Sequence, residues 1–268
     1  MSSRERGRGR RRRRRSRRSE RRAIYLLPNL ITTSALLLGF WSIILSFNRQ
    51  FELAALAIVL AAIADMLDGR VARATDSTSP FGIEYDSISD VISFGVAPAV
   101  LFYSWALAPL GPRAWVVAAV FTICAALRLA RFNVHQQVEE STRYQGIPST
   151  FAGGMVASTV WFVGWLGFES PLPSVVGTGA TIGFTVLALL MVSPLPYLSL
   201  KAVRIDRRNA YPVFVALVFA VVIVLLYHEP VLFVVGVAYV VSGPVLWVLA
   251  FRSRAAASRL ETAEGSED

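Results

Sequence analysis

Asp65, Asp68, Asp86 and Asp90 stand within the stretch ADMLDGRVARATDSTSPFGIEYDSISD, in a chain whose other long segments are almost purely apolar. Each carboxylate at membrane depth costs roughly 2.5–3.5 kcal/mol on insertion scales, so such a cluster marks function, and something cationic should sit among the acids. Oxygen ligands without His or Cys select hard divalent ions such as Mg2+ or Mn2+. Four carboxylates suffice for two such ions. Open coordination positions would then take pyrophosphate oxygens, the two-metal arrangement that clamps the attacking and leaving oxygens of an in-line displacement.

Spacing says where these side chains point. Asp65 and Asp68 are i,i+3 neighbours on one helix, and Asp86 and Asp90 are i,i+4 neighbours on another. Between them TDSTSP is a dense turn signal ending in Pro80, which suits the first turn of the next helix. The two helices therefore form a hairpin. At about 1.5 Å rise per residue all four carboxylates lie within roughly 16 Å of its turn. Gly69, Ala72 and Gly82 are small and leave room for a ligand to approach the backbone.

Asp65-x2-Asp68-Gly69-x2-Ala72-Arg73-x8-Gly82-x3-Asp86-x3-Asp90 resembles the signature of the CDP-alcohol phosphotransferase family, with all eight fixed residues present over 26 positions. The resemblance implies Asp65, Asp68 and Asp86 as metal ligands for two Mg2+ or Mn2+ ions. It implies Asp90 as a ligand and as the general base toward the acceptor hydroxyl, and Gly69, Ala72, Arg73 and Gly82 as the CDP-binding set. A homodimer is expected from the family alone.

The elements that must carry this hairpin are membrane helices. The chain has 268 residues, 54% of them hydrophobic, with a mean hydropathy of +0.53, which places it in the polytopic membrane class. The expected fold is an all-α bundle of eight spans: Leu27–Phe47, Phe51–Ala74, Pro80–Ala108, Ala114–Ala130, Phe151–Gly167, Val175–Val192, Tyr211–Tyr227 and Val231–Phe251. Residues 1–24 form a disordered arginine-rich arm, 25–252 the membrane domain and 253–268 a disordered tail. Residues 1–22 hold thirteen arginines against two glutamates, a net of +11 that leaves −2 for the rest of a chain carrying +9. With the N-terminus cytoplasmic, only Arg49 and Arg113 fall on external connections, so the positive-inside rule places both termini and the hairpin turn on the cytoplasmic side of the cell membrane. The arm lacks interleaved aromatics and no folded nucleic-acid motif follows it. It reads as a topogenic segment attracted to anionic lipid rather than a specific nucleic-acid binder.

A second informative stretch closes the fourth span as LRLARFN, with Arg128 and Arg131 at i,i+3 and Asn133 following, and then Gly146-Ile147-Pro148-Ser149. Guanidinium forks suit a carboxylate or phosphate bidentately, so Arg128, Arg131 and Asn133 are candidates for holding serine or lipid phosphate. Snorkelling accounts for Arg131 better than for the deeper Arg128. These two elements, with MVSPLPY over 191–197, are similar to the phosphatidylserine synthase branch of the same family. That resemblance implies CDP-diacylglycerol and L-serine as substrates. Glycerol 3-phosphate or inositol phosphate as acceptor, and an ion-coupled transporter, are the alternatives; a transporter would spread its ionisable groups over several spans and both faces.

Elsewhere the sequence is plainer. Asn29, Thr32, Thr33 and Ser34 give the first span a polar end, read as helix capping or, for Asn29, as a pocket contact. Cys124 packs as a small apolar group in the fourth span. His135 and His228 lack companions for a metal site. Lys201, Arg204, Arg207 and Arg208 form a basic loop suited to the inner leaflet.

Overall fold

The computed structural model describes residues 27–75, 77, 79–136, 144–197, 218–219, 222–223 and 226–264. The arginine arm over 1–24, the basic loop from Lys201 to Arg208 and most of the seventh expected span lie outside them. The described chain is helical throughout apart from connections and one two-residue pairing. Its helices are α1 (Leu27–Phe47), α2 (Phe51–Ala74), α3 (Pro80–Leu110), α4 (Trp115–Gln136), α5 (Ser149–Trp165), α6 (Ser174–Val192) and α7 (His228–Glu264).

Among the described residues α1, α3, α6 and parts of α4 and α7 are long and apolar enough to cross a membrane, five candidate spans. The other two helices also fall on expected spans: α2 carries Glu52, Asp65 and Asp68, and α5 is 17 residues long. The chain is a polytopic membrane protein. The expected tail boundary at 253 is not where the last helix stops, because α7 continues to Glu264. The segment RSRAAASRLETAE is rich in Ala, Arg and Glu, which are strong helix formers.

α3 is one continuous run with two wider π turns, Val91–Val96 and Tyr103–Leu107. Each precedes a proline. Pro98 has no N–H to give the Phe94 carbonyl, and Pro109 none for the Trp105 carbonyl, so the i→i−4 ladder cannot continue unbroken. The π turns absorb the defect. The backbone acceptors around them find other donors: Thr122 Oγ1 reaches the Gly95 carbonyl at 3.3 Å, and Ser170 Oγ reaches that of Trp105 at 2.9 Å.

The core sits where α2, α3 and α5 meet. α2 presents Ala54, Ala55, Ala57, Ile58 and Ala61, all fully buried, and this small-residue face lets α5 pack along it. α4 packs on α6 and α5 on α7. Phe184 of α6 stacks between Phe102, at 4.1 Å between centroids, and Phe121, at 4.5 Å. α1 is stitched to α3 by Ser93 Oγ on the Ala35 carbonyl at 3.1 Å, and Gly39 lets the two helices touch at Ser93.

Candidate active site

The acidic hairpin forms as the spacing predicts. α2 ends at Ala74, and α3 starts at Pro80 with Ser79 as its N-cap. Ser79 Oγ accepts from the Gly82 N–H at 3.0 Å, supplying one of the partners a helix start lacks. Ligand oxygens of Asp65, Asp68 and Asp86 all lie within 4.8 Å of one another. Asp90 is not one of that trio. Its carboxyl lies against Asp65, which the Thr150 hydroxyl also reaches. The four acids are therefore contiguous, with Asp90 at one side.

Partly buried carboxylates this close repel one another strongly unless a cation sits among them. Asp86 Oδ1 is buried without a hydrogen-bond partner, although a buried carboxylate oxygen ordinarily has a donor. An all-oxygen donor set with such an orphaned acceptor suits Mg2+ or Mn2+, and the residues present fit that group.

The surrounding residues follow from the same hairpin. Arg73 folds back over Gly69, its guanidinium nitrogens 3.5 and 3.7 Å from where a Cβ would stand, and it faces Asp68 electrostatically. Asp68 is 4% exposed; it accepts from Thr32 Oγ1 at 2.6 Å. A Cβ on Gly82 would come 3.4 Å from Asn29 Oδ1, so Asn29 does face the hairpin. Ala72 lies half-buried on α2. The polar end of α1 is thus more than a cap. Thr33 and Tyr85 hydroxyls meet at 2.9 Å, and Thr33 and Ser34 also bond carbonyls four residues back.

The second stretch joins the first. Arg128 Nη1 donates to Ser149 Oγ at 3.2 Å and the guanidinium lies 5.8 Å from the Phe132 ring centroid. Asn133 Nδ2 donates to Ser87 Oγ at 2.9 Å, one residue from Asp86. Arg131 is exposed. Ser149 and Thr150 are adjacent, so the start of α5 links the arginine to Asp65. Gly146, at φ +78°, is seated against the last carbonyls of α6, where a Cβ would strike the backbone oxygens of Leu190, Met191 and Ser193. Its N–H donates to the Leu195 carbonyl at 3.0 Å, and the Ile147 N–H to that of Leu190 at 3.2 Å. Tyr144 and Gln145 pair antiparallel with Tyr197 and Pro196. The segments 146–149 and 191–197, about 45 residues apart in the chain, are one substructure. Tyr197 anchors it to α7, donating to the Val240 carbonyl at 3.3 Å; burial, then the nearby Tyr239 phenol, push its hydroxyl up to about 12, so it remains a donor.

Thr32 and Thr150, which reach Asp68 and Asp65, and Tyr85, Ser87 and Ser89, which bond Thr33, Asn133 and the Thr32 carbonyl beside them, were not singled out by spacing. For Thr32 the available signal was its place on the polar end of the first span; for the serines it was their position beside Asp86 and Asp90.

The described residues form a membrane-spanning helical protein with an acidic, oxygen-only cluster at a helix hairpin, a donor set that fits a hard divalent cation. Residues 25–192 match the family described as CDP-alcohol phosphatidyltransferase, and the chain belongs to that family. It is 39% identical over 186 residues to a CDP-diacylglycerol–serine O-phosphatidyltransferase of Helicobacter pylori, a match covering 68% of this chain and 75% of that protein. A protein of the same name from Mycobacterium leprae is 34% identical over 213 residues, 76% of this chain and 70% of its own. The archaetidylserine synthase of Methanothermobacter thermautotrophicus is 35% identical over 173 residues, 64% and 69% respectively.

Proposed function

We propose that this protein transfers the phosphatidyl group of CDP-diacylglycerol to the hydroxyl of L-serine, giving phosphatidylserine and CMP. The observation that carries the reading is the convergence of Asp65, Asp68 and Asp86 beside the Arg128–Ser149 and Asn133–Ser87 pairs. The relatives' printed names support serine as acceptor.

Asp65, Asp68, Asp86 and Asp90 would hold two Mg2+ or Mn2+ ions. When bound, these supply charge neutralisation to the pyrophosphate and its leaving oxygen. Gly69, Ala72 and Gly82 leave the backbone accessible to the cytidine and phosphate groups, and Arg73 faces the same side with a positive charge. The serine oxygen attacks the phosphorus that carries the diacylglycerol, that phosphorus releases the bridging oxygen to CMP, and the serine proton passes to Asp90. A carboxylate is a weak base toward an alcohol, so positioning and electrostatics provide most of the acceleration. Arg128, Arg131 and Asn133 orient the serine carboxylate or the lipid phosphate.

The arginine distribution supports a cytoplasmic active-site mouth, where the lipid donor stays in the bilayer and serine enters from water; we take the working form to be a homodimer. Purified protein offered CDP-diacylglycerol with serine, glycerol 3-phosphate or inositol phosphate in parallel tests the acceptor. Phosphatidylserine should be the dominant product. Equal or faster turnover with either phosphorylated acceptor would refute serine.

A further inference from the structure

Thr32 belongs to α1, outside the acidic hairpin, yet it touches both of the hairpin's helices. Its hydroxyl reaches Asp68 Oδ2 of α2 at 2.6 Å. Its carbonyl accepts from Ser89 Oγ of α3 at 3.3 Å, and Ser89 stands between Asp86 and Asp90. Thr32 is 5% exposed and Ser89 2%, so water does not compete for either bond. The same hydroxyl also lies 3.1 Å from the Pro28 carbonyl. The shorter distance and the acceptor's charge favour Asp68.

We propose that Thr32 is a positioning residue that fixes the Asp68 carboxylate for cation binding, an inference that rests on the reading of the acids as cation ligands. Asp68 faces like charges from Asp65 and Asp86 within 4.8 Å, and a carboxylate free to rotate would turn away from them. The Thr32 hydroxyl opposes that rotation by holding one Asp68 oxygen. Its carbonyl, tied to Ser89, keeps α3 in register so that Asp86 and Asp90 face the same space. One residue of the first helix thereby couples the two acidic pairs. Partners of this kind orient a ligand before the ion arrives, and losing one typically weakens metal affinity by about 10- to 100-fold.

The test uses the full-length protein in detergent micelles with Mn2+ alone as probe, free ion being read by electron paramagnetic resonance. Thr32→Val keeps the branched shape and deletes the hydroxyl, Thr32→Ser keeps the hydroxyl, and Thr32→Ala carries the test if the valine variant is not monodisperse. Valine and alanine should weaken Mn2+ binding about 10-fold or more, with serine within about threefold of wild type. Melting in EDTA separates a structural role, which would lower the melting temperature and leave the Mn2+ affinity of the folded protein unchanged. Wild-type affinity in the valine and alanine variants, or a serine variant as weak as valine, overturns the assignment to Thr32. Asp86→Asn serves as the control for the cation reading itself. Undiminished Mn2+ binding by that variant, or none by wild type, would refute the cation site and Thr32's role with it.

Discussion

Gly146→Ala separates a collision from backbone strain, because the chain contains its own control. Gly146 has φ +78° and Gly167 φ +83°, so alanine at either position enters a left-handed conformation at a cost of about 1–2 kcal/mol. At Gly167 the added methyl meets nothing within 4 Å, whereas at Gly146 it meets three backbone carbonyls of the α6 terminus, with Ser193 O at 3.0 Å and Leu190 O at 3.1 Å. Backbone oxygens cannot rotate away. The segment must lift, breaking the Gly146–Leu195 and Ile147–Leu190 bonds at about 0.5–1.5 kcal/mol each. The total is about 2–5 kcal/mol for Gly146→Ala against about 1–2 kcal/mol for Gly167→Ala. Because Ser149 follows three residues later, the lift also separates it from Arg128. Thermal unfolding together with serine kcat and KM measures both effects: Gly146→Ala should melt well below Gly167→Ala and raise the KM for serine, while Gly167→Ala keeps a wild-type KM. Indistinguishable variants would refute the idea that segments 146–149 and 191–197 act as one support for the arginine.

Asp90→Asn should fold and melt like wild type and release no CMP; wild-type-like release would remove Asp90 from the base role. Arg128→Lys keeps the charge but loses the planar fork that reaches Ser149 at 3.2 Å. A hydrogen bond to a charged group is worth about 1.5–3 kcal/mol, so kcat/KM for serine should fall about 10- to 100-fold, and an unchanged value would argue for simple membrane anchoring. Gly39→Ala places a methyl 2.7 Å from Ser93 Cα, which must push α1 off α3 at about 1–3 kcal/mol. Its melting temperature should drop, and an undiminished one would show that the α1–α3 contact is dispensable.

The hairpin was legible because its signals are local. Two acidic pairs at helical spacing and a proline-terminated turn require only neighbours in sequence to be interpreted. What escaped were contacts between distant segments. Thr32 and Asp68 are 36 residues apart, and Ser89 reaches the Thr32 carbonyl across 57; periodicity shows that a helix has a polar face but not which residue opposes it. The meeting of Gly146 with the end of α6 was invisible for the same reason, although each segment drew attention separately. The π turns of α3 follow from Pro98 and Pro109, yet a proline in a long apolar run equally permits a kink or a break. α7 runs past residue 253 to Glu264, because an Ala- and Arg-rich polar segment retains high helix propensity.

In the proposed reaction the clustered acids work by holding divalent cations during phosphatidyl transfer to serine. CMP release from CDP-diacylglycerol and serine, followed in wild type and Asp86→Asn through EDTA treatment and stepwise return of Mg2+ or Mn2+, tests it most directly. Wild-type activity should vanish in EDTA and return with the ion, and Asp86→Asn should stay inactive at ion concentrations that saturate wild type. Turnover that persists in EDTA, or an Asp86→Asn variant as active as wild type, would contradict the account.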